Sequence, residues 1–216
     1  MGNRCLIVPK GNESIGIYLH WNGGVDSVTA FLKYCELKNY RSFNGDGYGI
    51  ARLCQVIGNY FGGTLSIGIE TITHELTEDF ADNYDNGIYI VDGWEICQRI
   101  SPSGHEGYDL TEMLIDIDKS QPVEEQLGED YIKAEEVDAM ELKVGDVVLV
   151  TSCSEKIERH TVQGFADENN LPAWNRPLLG SPYINMYDDV DGKINPNNFL
   201  KGKVRRVKEE AEQNNS

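Results

Sequence analysis

The chain opens with a switch between two hydrophobic periods, and that switch limits what it can fold into. Ile15, Ile17 and Leu19 alternate with Gly16, Tyr18 and His20, the two-residue period of a half-buried strand. Val25, Val28, Leu32 and Cys35 then follow at spacings of 3, 4 and 3, which aligns them on one helical face. Between the two lies Trp21-Asn22-Gly23-Gly24, so a strand must hand over to a helix within four residues. Residues 4–8 read as an earlier strand, and Gly11-Asn12-Glu13-Ser14 is turn chemistry. The chain therefore begins as a β-hairpin followed by a helix.

The same reading carries further along the chain. Ile50, Leu53, Cys54, Ile57 and Phe61 form the stripe of a second helix over 48–60, stopped by Gly62-Gly63. Leu65, Ile67 and Ile69 return to strand alternation, and residues 88–91 and 94–99 form a hairpin turning at Asp92-Gly93. A third helix starts at Asp109, a capping residue with Glu112 three positions on. Leu110, Met113, Leu114 and Ile117 make its apolar face, and Pro122 ends it. Residues 120–141 are acidic and read as a partly helical connector. Strands are expected at 147–150, 159–165, 183–187 and 200–207. The expected class is α+β: an N-terminal antiparallel sheet of hairpins with about three helices, then a small β-rich, barrel-like module. The expected divisions are 1–121, a connector 122–141, the β-rich module 142–208 and a polar tail 209–216.

Charge narrows the function. With 36 Asp+Glu against 19 Lys+Arg the net charge is −17. Phosphates would be repelled, so direct binding to nucleic acid is not expected. An acidic surface suits a basic partner, including proteins that themselves hold nucleic acid. No apolar run approaches the roughly 18–20 residues of a membrane span, and the N-terminus lacks the pattern of a secretory signal. Cys5, Cys35, Cys54, Cys97 and Cys153 are scattered, with no C-x-x-C pair, which fits reduced thiols in the cytoplasm rather than a disulfide frame or a zinc site.

Five constellations could carry chemistry. Asn22-Gly23-Gly24-Val25-Asp26-Ser27 resembles the S-G-G-x-D-S loop of the PP-loop ATP pyrophosphatases, which implies a pyrophosphate held at the helix N-terminus. Asn22 stands where that family has serine, and 41–49 is a loop where the family has a parallel strand. Read from the residues alone, the segment is a Gly-Gly turn with Asp26 and Ser27 as first-turn acceptors. Tyr18, His20, Trp21 and Asn22 form an aromatic-polar cluster that can line a small-molecule site, or whose tryptophan can plug the strand–helix junction. Asp189-Val190-Asp191-Gly192 resembles the middle of an EF-hand loop but lacks its first and twelfth ligands. Cys153 and His160 lie seven apart, without an element to lower the thiol pKa. Lys201, Lys203, Arg205, Arg206 and Lys208 form a basic run that can pair with the acidic connector. No cofactor and no resident metal are expected, and no catalytic set is named.

Gly2-Asn3-Arg4 and Tyr18-Leu19-His20-Trp21-Asn22-Gly23-Gly24, with 51–57, 82–87 and 108–121, resemble a group of small proteins of gut Firmicutes, their prophages and mobile elements. The resemblance spans roughly residues 1–121 and implies a mobile-element context; it assigns no activity. The resulting expectation is a non-enzymatic acidic binding protein, an accessory that inhibits or modulates a host nucleic-acid-handling complex. Its alternatives are a PP-loop-like enzyme using Asn22–Ser27 and a protein that sequesters a small molecule or nucleotide. The expected binding residues are Tyr18, His20, Trp21, Asn22, Gly23, Gly24, Asp26 and Ser27.

Overall fold

The structure, a computed structural model, describes residues 2–44, 47–63, 66–101, 107–151, 157–167, 180–185, 194 and 196–207. The chain forms two compact units, Met1–Gly128 and Glu129–Ser216. In the first unit the elements run β1 (Cys5–Pro9), β2 (Ile15–Leu19), α1 (Val25–Leu37), α2 (Gly47–Tyr60), β3 (Ile67–Thr71), α3 (Glu78–Ala81), β4 (Ile88–Asp92), β5 (Glu95–Ile100) and α4 (Leu110–Lys119). The five strands form one sheet in the order β3-β2-β1-β4-β5. The β1–β2 and β4–β5 pairings are antiparallel, as the hairpin reading expects, and β2–β3, which spans α1 and α2, is antiparallel as well. The central β1–β4 pairing is parallel, with Leu6 opposite Ile88 and Val8 opposite Ile90. No local pattern signals that contact, which joins strands some eighty residues apart.

Side chains alternate across a strand, so this sheet has two buried faces. On one side Tyr89 reaches the main chain at the start of α1, donating its hydroxyl hydrogen to the Gly23 carbonyl at 2.9 Å. Val28, Leu32 and Cys35 of α1 are buried, as the spacing predicts, while Val25 is half-buried and Phe31, outside the expected stripe, is buried too. Leu53, Val56 and Ile57 of α2 and Met113, Leu114 and Ile117 of α4 are buried as well. On the other side Leu6, Val8, Ile88 and Ile90 pack with Ile72, Ala81 and Tyr84 from the segment around α3. The expected end signals of the helices are realised, whereas of the expected α2 stripe Leu53 and Ile57 are buried and Ile50, Cys54 and Phe61 only half-buried. Asp109 Oδ1 accepts from the Glu112 N–H at 2.9 Å, and Gly62 and Gly63 take φ of 62° and 79° where α2 stops. Leu110, expected on the apolar face of α4, is 43% exposed, because it lies in the first turn of α4 at the edge of an open groove beside Val25 and Thr29 of α1. Leu65 lies outside the described residues.

The second unit holds α5 (Glu129–Lys133), β6 (Glu135–Asp138), β7 (Val147–Thr151), β8 (Ile157–Thr161), β9 (Gly164–Phe165), β10 (Pro182–Tyr183) and β11 (Lys203–Arg206). Four strands form an antiparallel sheet in the order β6-β11-β7-β8, and β9 pairs with β10. Among the described residues the sheet is open, since β6 and β8 are not paired to close it. The acidic segment is not only a connector: residues 135–138 are a strand, and the unit boundary falls at 128/129. Charge explains why so acidic a sequence enters a sheet. Glu135, Glu136 and Asp138 stand opposite Arg206, Arg205 and Lys203 of β11, and Arg206 Nη2 meets Glu135 Oε2 at 2.8 Å. Tyr187, Cys153, the Asp189/Asp191 turn, Lys208 and the tail 209–216 lie outside the described residues.

Candidate functional site

The strand–helix junction is built by short polar contacts to distant chain. Asn22 takes φ 53°, the left-handed region that asparagine tolerates best after glycine. Gly23 donates its N–H to the Asn3 carbonyl at 2.8 Å. A Cβ on Gly23 would come within 2.5 Å of that oxygen and 2.8 Å of the Arg4 and Cys5 main chain, so only glycine fits there. Gly24 is the N-cap of α1 and contributes no side-chain cap. The Asn22 amide donates to Ser27 Oγ at 3.5 Å, and Ser27 is fully buried.

Asp26 turns its carboxylate onto main-chain donors. Its Oδ1 accepts from the Ser27 N–H at 2.8 Å, and Oδ2 accepts from the N–H groups of Gly107 and Tyr108 at 3.1 and 3.0 Å. The negative group that the positive end of a helix favours is thus supplied internally. The preceding strand, β2, is antiparallel to both of its neighbours, whereas the PP-loop arrangement places the loop at the carboxyl edge of parallel strands. These contacts make Asn22–Ser27 a tightly held turn. A groove of about 280 Å³ lies alongside it, lined by Val25, Asp26, Thr29, Gly107, Tyr108, Leu110 and Met113. Tyr18, His20 and Trp21 do not line it.

Tyr18, His20 and Trp21 instead begin a ladder of rings on the α3 side of the sheet. Trp21 is 44% exposed, so it does not plug the junction. It meets His20 edge-on at 5.1 Å between centroids, and Tyr18 lies 6.3 Å beyond His20. The Tyr18 hydroxyl and His20 Nδ1 are 2.9 Å apart. Tyr84 follows at 6.1 Å from Tyr18, and Phe80 at 5.9 Å from Tyr84. Burial pushes the Tyr18 phenol above its ordinary pKa, with Arg4 acting the other way. Tyr84 is raised by burial and by its hydrogen bond to Glu70.

The ladder ends at α3, in the longest stretch of the first unit without a lysine or arginine. That stretch, between Arg52 and Arg99, holds eight carboxylates. Glu75, Glu78, Asp79 and Asp82 are exposed, and the first three have no ion-pair partner among the described residues. Asp82 accepts from Ser101 Oγ at 2.9 Å. Sequence reasoning missed this segment because it weighed the net charge of the whole chain, whereas the local signal was the cation-free run. No grouping of three or more His, Cys, Asp or Glu able to hold a metal occurs among the described residues, and no described helix is long and apolar enough to cross a membrane. No family model, no curated protein and no solved structure matches this chain.

Proposed function

We propose that this protein is a binding module that docks a basic macromolecular partner on the face carrying Trp21 and α3. The observation that supports the reading is the ring ladder from the exposed Trp21 to Phe80, which ends among Glu75, Glu78, Asp79 and Asp82. The two ends of the ladder suit different basic side chains of one extended partner surface: the exposed Trp21 ring takes a guanidinium on its face, and the α3 carboxylates take the donors of others. The long-range field has the same sign, since residues 1–128 carry 19 acidic and eight basic side chains, a balance of −11. Proteins that hold nucleic acid display such basic surfaces. In this reading the chain is a mobile-element accessory that competes for one of them and modulates the complex to which it belongs.

The test is affinity capture from a bacterial lysate with three baits: the native chain, Trp21→Ala, and the variant Glu75→Gln/Glu78→Gln/Asp79→Asn/Asp82→Asn. Captured proteins are identified by mass spectrometry at about 50 and about 500 mM NaCl, where the Debye length falls from roughly 14 to 4 Å. The proposal expects basic proteins that are lost at high salt and lost with either variant. Identical capture by all three baits, or capture indifferent to salt, would refute it.

A further inference from the structure

The basic run of the last strand is only partly used by the acidic strand beside it. Arg206 is neutralised by Glu135 at 2.8 Å and Asp146 at 3.5 Å. Lys201 and Lys203 are exposed and have no ion-pair partner among the described residues. Arg205 is half-buried; its Nε and Nη2 donate to the Tyr131 carbonyl at 3.2 and 3.0 Å, and Nη2 also donates to the Ile132 carbonyl at 2.9 Å. Its guanidinium lies over the Tyr131 ring at 5.4 Å. Neutral carbonyls orient this cation, but no carboxylate among the described residues comes within ion-pair distance of it. Glu136 stands across from it on β6 and offsets part of its field through space.

These three cations border one cavity. Strand β11 pairs with β6 over all four residues, but with β7 only at Arg205–Leu149 and Arg206–Val148. Beyond that point the two strands part, and a cavity of about 310 Å³ opens beside Val150 and Val204. Leu149, Ile184, Phe199 and Leu200 add to its apolar lining, and Lys201, Lys203 and Arg205 form its charged part. The nearest acidic residues on β6 do not line it: Glu136 is exposed, and Asp138 accepts from the Met140 N–H at 3.0 Å.

We propose that this cavity binds a small organic phosphate no larger than a mononucleotide, with the phosphate on Lys201, Lys203 and Arg205 and the base against Phe199, Ile184 and Val204. Three cations along one cavity suit a dianionic head better than a single carboxylate. The volume lies at the lower limit of small-molecule sites, roughly 300–1,000 Å³, which suits a ligand of mononucleotide size. The site lies wholly within the second unit, and it stands or falls separately from the acidic docking face.

The test is calorimetric titration of the full chain with AMP and UMP, beside adenosine and inorganic phosphate, with the bound probe located by NMR. At least one mononucleotide saturates the protein, and adenosine and phosphate each bind about tenfold more weakly. Lys201→Ala/Lys203→Ala weakens the mononucleotide about tenfold while the ligand-free melting temperature is unchanged. Signals of Val150, Ile184, Phe199 and Val204 shift on binding. The proposal is overturned if neither mononucleotide saturates by about 10 mM, or if phosphate alone binds as well. It is also overturned if the lysine variant binds normally, or if the shifts fall around Asn22–Ser27 instead.

Discussion

Asp118 is the polar residue on which the first unit depends most. It lies on the buried side of α4, is 3% exposed, and would be an uncompensated charge without its partners. Its Oδ1 accepts from the Tyr34 hydroxyl and from the Leu127 N–H, both at 2.7 Å, and Oδ2 accepts from the Gly128 N–H at 2.9 Å. It therefore joins α1, α4 and the end of the unit. Asp118→Ala strands the hydroxyl of Tyr34, which is fully buried, at a cost of about 1–3 kcal/mol. The two main-chain N–H groups are nearer solvent and recover part of their loss through water, about 0.5–1 kcal/mol each. The expected total is about 3 kcal/mol, a large fraction of the roughly 5–15 kcal/mol that holds a typical domain. Tyr34→Phe alone should cost about 1 kcal/mol, and the double variant less than the sum of the two singles, because each removes the same bond. Urea unfolding of the full chain, together with hydrogen exchange at the amides of α1 and α4, reads both numbers. A cost below about 1 kcal/mol for Asp118→Ala, or strict additivity with Tyr34→Phe, would refute the reasoning.

Three further outcomes follow from individual contacts. The side-chain and main-chain hydrogen bonds from Arg4 hold the Asp85 carboxyl down at about 2. A carboxylate with a depressed folded pKa adds stability above its unfolded value, near 3.9, and that stability is lost as pH falls toward about 2. Asp85→Asn should therefore lower the melting temperature by a constant amount at neutral pH and flatten the acid limb between about pH 4 and pH 2; an unchanged acid limb would count against the pairing. Gly23→Ala drives a methyl into the Asn3 carbonyl and should cost about 3 kcal/mol in urea unfolding. Gly68→Ala meets nothing nearer than a Tyr18 ring carbon at 3.7 Å and should stay within about 0.5 kcal/mol. In thiol labelling mapped by peptide mass, the exposed Cys97 should react in the native protein, while Cys5 and Cys35, whose pKa values burial pushes up, should react only on unfolding.

What the sequence made legible is what local chemistry decides. The β1–β2 hairpin, the Asp92-Gly93 turn and the cap at Asp109 each rest on residues within a few positions of one another. So do the buried stripes of α1, α2 and α4. The parallel pairing of β1 with β4 has no such neighbour, and neither do the bonds from Gly107 and Tyr108 that turn Asp26 into a structural anchor. Asp118 was concealed because a carboxylate at a buried helical position reads as a break in the apolar face until its three donors are known. The acidic segment misled in the opposite direction: Glu135, Glu136 and Asp138 look like a solvated connector until Lys203, Arg205 and Arg206 are placed across from them. Of the candidate site, Tyr18, His20 and Trp21 were picked out by type, but their continuation through Tyr84 to Phe80 depends on tertiary packing.

The claim that this protein works by docking a basic partner on the Trp21–α3 face is most directly tested by salt-dependent affinity. The dissociation constant of a captured partner would be measured for the native chain and for the Glu75→Gln/Glu78→Gln/Asp79→Asn/Asp82→Asn variant across a series of salt concentrations. The account predicts weaker binding by the variant at low salt and a shallower fall of affinity with salt, the two chains converging as screening removes the field. Equal affinities and parallel salt dependence would contradict it.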